Sequence, residues 1–369
     1  MTNEAKLEYI KTNYKSARCW ELLPLEEKDA FYDCWIQRII ETAKLKLYKY
    51  RQCNDDNLSA LKNRKAWFSN PSKWNDSLDA TAKYNIEKDI KILDENFDDY
   101  VLKFAFAFIN KYIESFCGQK RFVTPSEVKK VYYSAFKGSE TFKPNRMISF
   151  LTPVVGEKPA MQITAKTQEV FHHVMTSEFK KNIIDQFEKF LGLNATKNQC
   201  IMYSLSETYS NNHQWAIYAD GGKGFCVGYD IEPKNKREMS LLLELLPIYY
   251  GERKELLISK MLNESLEYYI RPETIQDLLN QESENMFVSM HTKTEEWIGE
   301  QEWRFNIPIS NPNGELIDFD FAVSLYLGEN ISDDWKKKLL LIAKEQQLSV
   351  YQRKMNKFQS DWIYEQIAL

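Results

Sequence analysis

The spacing of apolar residues changes along this chain, and the change calls for helices and strands together. Phe31, Trp35, Ile39 and Ala43, flanked by Tyr32, Ile36 and Ile40, recur at helical spacing, so residues 1–46 read as a helical N-terminal arm. The stretch Leu45-Lys46-Leu47-Tyr48-Lys49-Tyr50 instead alternates, as a short strand does. Asn54-Asp55-Asp56 can cap a short helix with Leu58 and Leu61 on one side. Ala66-Trp67-Phe68-Ser69 then reads as a second strand, stopped by Asn70-Pro71.

Helical patterning dominates from about 80 to 195. Thr124-Pro125-Ser126-Glu127 has the form of a capping box, and Val170 to Leu191 is amphipathic and ends at Gly192. Thr141 to Ile163 carries prolines and a glycine and reads as an irregular connection. Strand patterning returns with Cys200–Ser206. Trp215–Tyr218 and Phe225–Tyr229, around the turn Gly221-Gly222-Lys223-Gly224, predict a hairpin. Leu241–Tyr250 fits either period, and Lys254 to Gln281, extending towards Met290, reads as helix. Ile317, Phe319 and Phe321 alternate with Asp318 and Asp320, and Ser332-Asp333-Asp334 caps a helix from Trp335 to Gln346. The expected fold is α+β: a mixed, largely antiparallel core over 47–369, with the 1–46 arm and a helical insertion at 80–195.

Charge and targeting signals narrow the function. The chain has 49 Lys+Arg against 53 Asp+Glu, a net charge of −4, which disfavours broad electrostatic binding to nucleic acid. The longest apolar run, around Val101–Ile109, is broken by Lys103 and Asn110, and the start Met-Thr-Asn-Glu-Ala-Lys has no apolar signal region. A cytoplasmic protein with no membrane partner is expected. The six cysteines and four histidines show no metal-ligand spacing, so no metal is expected and the thiols read as reduced.

The densest chemistry lies in Trp297-Ile298-Gly299-Glu300-Gln301-Glu302-Trp303-Arg304-Phe305. On a strand, Glu300 and Glu302 share one face, and two like charges there need a cation, a metal, a shared proton or a polar substrate. The structural alternative is an ion-paired face with Arg304 as partner. Trp74-Asn75-Asp76 with Asp79 reads equally as a turn or as part of a site. Gly221-Gly222-Lys223-Gly224 lacks the ending of a phosphate loop and reads as a turn. His172, His173 and His291 lack partners in sequence, and His213 beside Trp215 is the one placed to line a site.

Several ordered blocks resemble the uncharacterised bacterial family known as domain of unknown function 2971. They include Leu47-Tyr48-Lys49-Tyr50-Arg51, Trp67-Phe68-Ser69-Asn70-Pro71, Trp74-Asn75-Asp76 with Asp79, and Tyr203-Ser204-Leu205-Ser206-Glu207. Gly224-Phe225-Cys226-Val227-Gly228-Tyr229-Asp230, Glu300-Gln301-Glu302-Trp303-Arg304 and Tyr326-Leu327-Gly328 continue the series. A more distant likeness is to the Arg-Ser-Glu class of the ADP-ribosyltransferase superfamily, through Arg51, a serine among Ser69, Ser204 and Ser206, and Glu300-x-Glu302.

That likeness implies an NAD-dependent transferase passing ADP-ribose to a protein or nucleic acid acceptor, in the setting of a bacterial toxin or antiviral-defence effector. It implies Glu302, Glu300, Ser204 and Ser206 as catalytic residues. Tyr48, Arg51, Trp67, Ser69, Asn75, Asp76, Trp215 and Tyr218 would hold NAD as substrate. Breaking the nicotinamide–ribose bond builds positive charge on the sugar, which a carboxylate stabilises, while an arginine forks onto a phosphate. Two other readings use the same residues. Asp76, Asp79, Glu300 and Glu302 could serve a metal-dependent nuclease, or the molecule could be a non-enzymatic sensor with a defence partner docking on the 80–195 helices.

Overall fold

The computed structural model describes residues 1–43, 45–74, 79–96, 99–100, 103, 109–115, 130, 143–174, 185, 200–257, 259–261, 263, 281–308, 311, 313–356, 358 and 361–369. The chain divides into two compact units. Met1–Thr81, Leu193–Arg253 and Phe287–Leu369 form the first, and Ala82–Gly192 with Lys254–Met286 the second.

The strands, in chain order, are β1 (Lys46–Arg51), β2 (Lys65–Phe68), β3 (Lys83–Tyr84), β4 (Cys200–Ser206), β5 (Phe225–Asp230), β6 (Leu245–Pro247) and β7 (Tyr249–Tyr250). They continue as β8 (Glu255–Leu256), β9 (Thr292–Lys293), β10 (Glu302–Pro308), β11 (Glu315–Asp318), β12 (Ala322–Leu327), β13 (Ser349–Asn356) and β14 (Asp361–Ile367). Eight of them build the main sheet of the first unit in the order β14-β13-β12-β5-β1-β4-β10-β6. Only β12 and β13 pair in parallel within it. Their crossover is the Asp333–Gln346 helix, capped by Ser332, because a parallel connection cannot be a tight turn. The fold is α+β with a mainly antiparallel sheet.

One face of this sheet carries the core. Leu47, Tyr203, Leu205, Val227, Trp303, Phe305, Leu325 and Leu327 are all buried there, as the alternation of strand side chains requires. Phe319 closes the cluster, with ring centroids 5.1–5.4 Å from Tyr203, Tyr229 and Phe305. In the second unit, Ile109, Ile113, Met147, Leu151, Ala160 and Ile163 form a separate core.

The N-terminal segment is two helices, Asn3–Leu22 and Leu25–Thr42, separated at Pro24, whose ring disfavours helical geometry in the residue before it. The first helix is tied to the sheet at both ends of a short path. Asn3 exchanges side-chain hydrogen bonds with the Tyr250 backbone, and Lys6 pairs with Glu207 at 2.9 Å. The expected strand–helix–strand at 45–70 is present as β1, Asp55–Lys62 and β2, with Asn54 capping the helix through Asn57 N–H.

Three expectations fail for physical reasons. Trp215–Tyr218 is not a strand but part of the Asn212–Tyr218 helix, because the Asn211 side chain accepts from Gln214 N–H and caps it. Of the stretch Thr141–Ile163, read as irregular, the described part from Pro144 on is helical. Pro144 occupies the first turn of helix Pro144–Val155, where no amide is needed, and Gly156 at φ 88° separates it from helix Glu157–Val174. Glu300 is not on a strand either: it ends the 3₁₀ turn Glu295–Glu300, and β10 begins at Glu302. Leu241–Tyr250 splits between the end of helix Lys236–Leu243 and strands β6 and β7. The Thr124 capping box, Gly192 and most of 254–281 lie outside the described residues. Among the described residues, no helix is long and apolar enough to cross a membrane.

A candidate active site in the gap between two strands

Strand β4 changes partner along one edge. At its end Ser206 pairs with Tyr48 of β1, the single pair those strands share. Four residues earlier Met202 pairs instead with Ser69, through two backbone hydrogen bonds of 2.9 Å. Between these points a cavity of ≈ 450 Å³ opens. It is lined by four consecutive residues of β1, Tyr48 to Arg51, and five of β4, Met202 to Ser206. Consecutive strand residues face opposite ways, so a cavity touching all of them lies along the strand edges, in the parting between β1 and β4. The Lys49 ammonium crosses the gap and donates to the Ser204 carbonyl at 2.6 Å.

One wall is a buried ionic cluster. Lys293 Nζ lies 2.7 Å from Glu300 Oε2, 2.7 Å from Glu302 Oε2 and 3.2 Å from Asp79 Oδ2. Arg304 donates to Glu302 through Nε at 2.6 Å and Nη2 at 3.0 Å, and to Asp79 at 2.7 Å. Its guanidinium also lies over the Trp74 ring at 4.7 Å. Burial disfavours the charged forms of Asp79 and Glu302, but Arg304 and Lys293 outweigh it and hold both carboxyls below their usual range. For Lys293 the balance runs the same way: burial pulls its pKa down, and Glu302, Asp79 and Glu300 together push it up. Within the cluster, Asp79 Oδ1 and Arg304 Nη1 are buried without a hydrogen-bond partner.

Glu300 reaches this cluster by a turn. Gln301 adopts the left-handed conformation at φ 47°, which folds Glu300 back towards the start of β10. Ser206 Oγ and Gln214 Nε2 each donate to the Glu300 carbonyl at 2.8 Å and hold the turn. The Glu300 carboxylate accepts from the Tyr218 hydroxyl at 2.8 Å. Burial and then the Glu300 charge push the Tyr218 phenol up, so it stays a donor. Tyr218 itself is 40% exposed, so this carboxylate is linked to the open side of the cavity.

The basic side of the cavity is different. Lys49 and Arg51 lie two apart on β1, at 5.2 and 5.4 Å from the same Tyr203 ring. Among the described residues neither has a carboxylate within ion-pair distance. Burial, and then the neighbouring Arg51 charge, push the Lys49 amine down to about 7. Lys73 lines the same cavity and bonds to Asn313.

Of the residues singled out in the sequence, Tyr48, Arg51, Trp67, Ser69, Ser204, Ser206, Tyr218, Glu300 and Glu302 all line this cavity. Some are otherwise engaged. The Ser206 hydroxyl bridges Glu300 O and Thr208 N–H, and Ser69 Oγ accepts from Trp74 Nε1 at 2.9 Å. Trp215 does not line the cavity. It is core, set edge-on to Tyr50 at 5.3 Å, with its indole donating to Tyr209 O. His213 is exposed and outside the lining, while His291 is buried between Phe287 O and Asn306, and burial pushes it down to about 4. Asn75 and Asp76 lie outside the described residues. Of the set named for a nuclease, Asp79, Glu300 and Glu302 surround Lys293, whose ammonium occupies the point where a divalent cation would balance them.

Sequence reasoning missed Lys293, Lys49 and Gln214 as site residues. No local pattern marks them: Lys49 and Gln214 meet groups far away in sequence, and Lys293 meets distant Asp79 together with Glu300 and Glu302, which a turn brings back onto it. No curated protein and no solved structure matches the chain. Over residues 214–305, the stretch that contributes Gln214, Tyr218, Lys293 and both glutamates, the chain matches the model of the family described as protein of unknown function (DUF2971).

Proposed function

We propose that this cavity binds NAD or a closely similar nucleotide, cleaves its nicotinamide–ribose bond and passes ADP-ribose to a macromolecular acceptor. The observation that carries the reading is the division of one cavity into a basic side without acidic partners among the described residues and an acidic side linked to the opening through Tyr218. Four basic side chains line it against three acidic ones, in a chain of net charge −4. An anionic ligand with an aromatic base and a sugar suits that division. Arg51 is placed for a phosphate, and Trp67 and Trp297 at the rim for a ring.

Glu300 is the carboxylate best placed to meet the ribose or the acceptor. Glu302 is clamped by Arg304 and Lys293, so its role is to keep Lys293 and the local field fixed. A carboxylate beside the anomeric carbon stabilises the oxocarbenium-like charge as nicotinamide departs. Tyr218 holds that carboxylate by donation. The test is nicotinamide release from NAD, with and without DNA, RNA and cell extract. Wild type should release it, and Glu300→Gln, shown by its melting temperature to be folded under the assay conditions, should lose about 100-fold or more. No release by the wild type under any of these conditions refutes the reading.

A further inference from the structure

Among the described residues, no carboxylate lies within ion-pair distance of the basic pair on β1. Lys49 and Arg51 are side by side on one strand, half-buried, and both line the cavity. Like charges so placed repel, and among the described residues their side chains meet the Ser204 carbonyl and the face of Tyr203. Arg51 has five donors and no recorded acceptor, and Lys49 has three and uses one. The three cavity carboxylates are already shared between Lys293 and Arg304. What this corner lacks is an anion.

We propose that Lys49 and Arg51 form a proton-linked binding site for a phosphoryl group, Arg51 as the permanent cation and Lys49 as an amine that takes up a proton when the anion arrives. It concerns the same cavity but does not require glycosidic cleavage. The groups that face Lys49 are Arg51 on its own strand, Glu302 on β10, Glu300 in the preceding turn, Lys293 on β9, Tyr203 on β4 and Cys226 on β5. Burial and Arg51 together leave the free amine close to half protonated at neutral pH. A bound anion supplies the opposite charge and restores the ammonium. Binding then requires a proton at high pH and none at low pH.

The test uses sulfate, a dianion that does not itself titrate near neutrality, and ADP-ribose as the nucleotide probe, each followed by titration calorimetry in two buffers of different ionisation enthalpy. Wild type should take up about half a proton per anion at pH 7, and its affinity should fall about tenfold per pH unit above that. Lys49→Arg should keep the affinity and lose the proton uptake, and Lys49→Met should weaken binding at pH 6 and flatten its pH dependence. Proton uptake with sulfate in a protein that releases no nicotinamide would sink the NAD reading and leave this one standing. Absence of binding by both probes, or proton uptake that persists in Lys49→Arg, overturns it.

Discussion

The two charged corners of one cavity obey opposite rules. The corner of Asp79, Lys293, Glu300, Glu302 and Arg304 is nearly saturated, each ion facing at least one counter-ion within 3.2 Å. The corner of Lys49 and Arg51 holds two cations and, among the described residues, no carboxylate within ion-pair distance. A saturated buried cluster fixes geometry, since every member is held by several others. An unsaturated one is under electrostatic strain until something binds. On the proposals above, the first corner supports the β10 turn and presents Glu300 to the opening through Tyr218, and the second captures the ligand.

Breaking the saturated corner should have the largest effect. Arg304→Met leaves Asp79 and Glu302 short of a partner in a buried setting, and Lys293→Met strips the centre from three carboxylates. Each should cost about 3–5 kcal/mol, the range for removing one partner of a buried pair. Urea unfolding at pH 7 measures it. A loss below about 1 kcal/mol in both variants would show that the cluster is not a structural hub, and the contrast between the corners would collapse.

The next effect concerns the support behind the cluster. Tyr250 Oη accepts the Glu302 backbone N–H at 2.8 Å, and the Tyr250 backbone is the group gripped by Asn3 of the first helix. Tyr250→Phe should cost about 1–3 kcal/mol, since a buried amide loses its acceptor. If the N-terminal helix braces the site, Asn3→Ala should lower the unfolding midpoint without changing the slope with urea. An unchanged midpoint in Asn3→Ala would confine the bracing to Tyr250 itself.

Local rules made part of this legible. Asn54 and Ser332 announced their helices because a side-chain cap acts within three residues, and the alternation of Leu45–Tyr50 marked β1, while β4 was legible as a strand although nearly all of it is buried. The pairing of Glu300 with Glu302 was read correctly as a charge problem, but by the wrong geometry, since Gln301 in the left-handed region cannot be foreseen from its type. The β13–β14 hairpin went unnoticed: β14, Asp361–Ile367, mixes exposed and half-buried positions and so lacks a clean apolar face. Lys293 sits just past the end of helix Gln281–Met290, in a stretch whose spacing marks no charge partner for it. Asp79 comes from a distant part of the chain, and Glu300 and Glu302 are folded back onto Lys293 by the 3₁₀ turn and the left-handed Gln301 between them.

The smallest effect separates the corners by the sign of their pH dependence. Asp79 and Glu302 sit below their unfolded values, so their stabilisation is complete above about pH 4 and is lost as pH falls through the folded values. His291, pushed down to about 4 by burial, adds a loss in the window below its unfolded value of about 6.5. Lys49 acts at the other end. Its folded value is about 7 and its unfolded value about 10.4, so between them the unfolded chain binds more protons and stability rises with pH. The informative quantity is the direction of this rise, at the opposite end of the pH range from that of the carboxylates. Lys49→Met should remove the rise between pH 7 and 9 and leave the acid limb untouched. Arg304→Met should alter the acid limb and leave the rise in place. Unfolding midpoints at pH 4, 5, 7 and 9 for both variants read this directly, and a single shared response would mean that the two corners titrate as one.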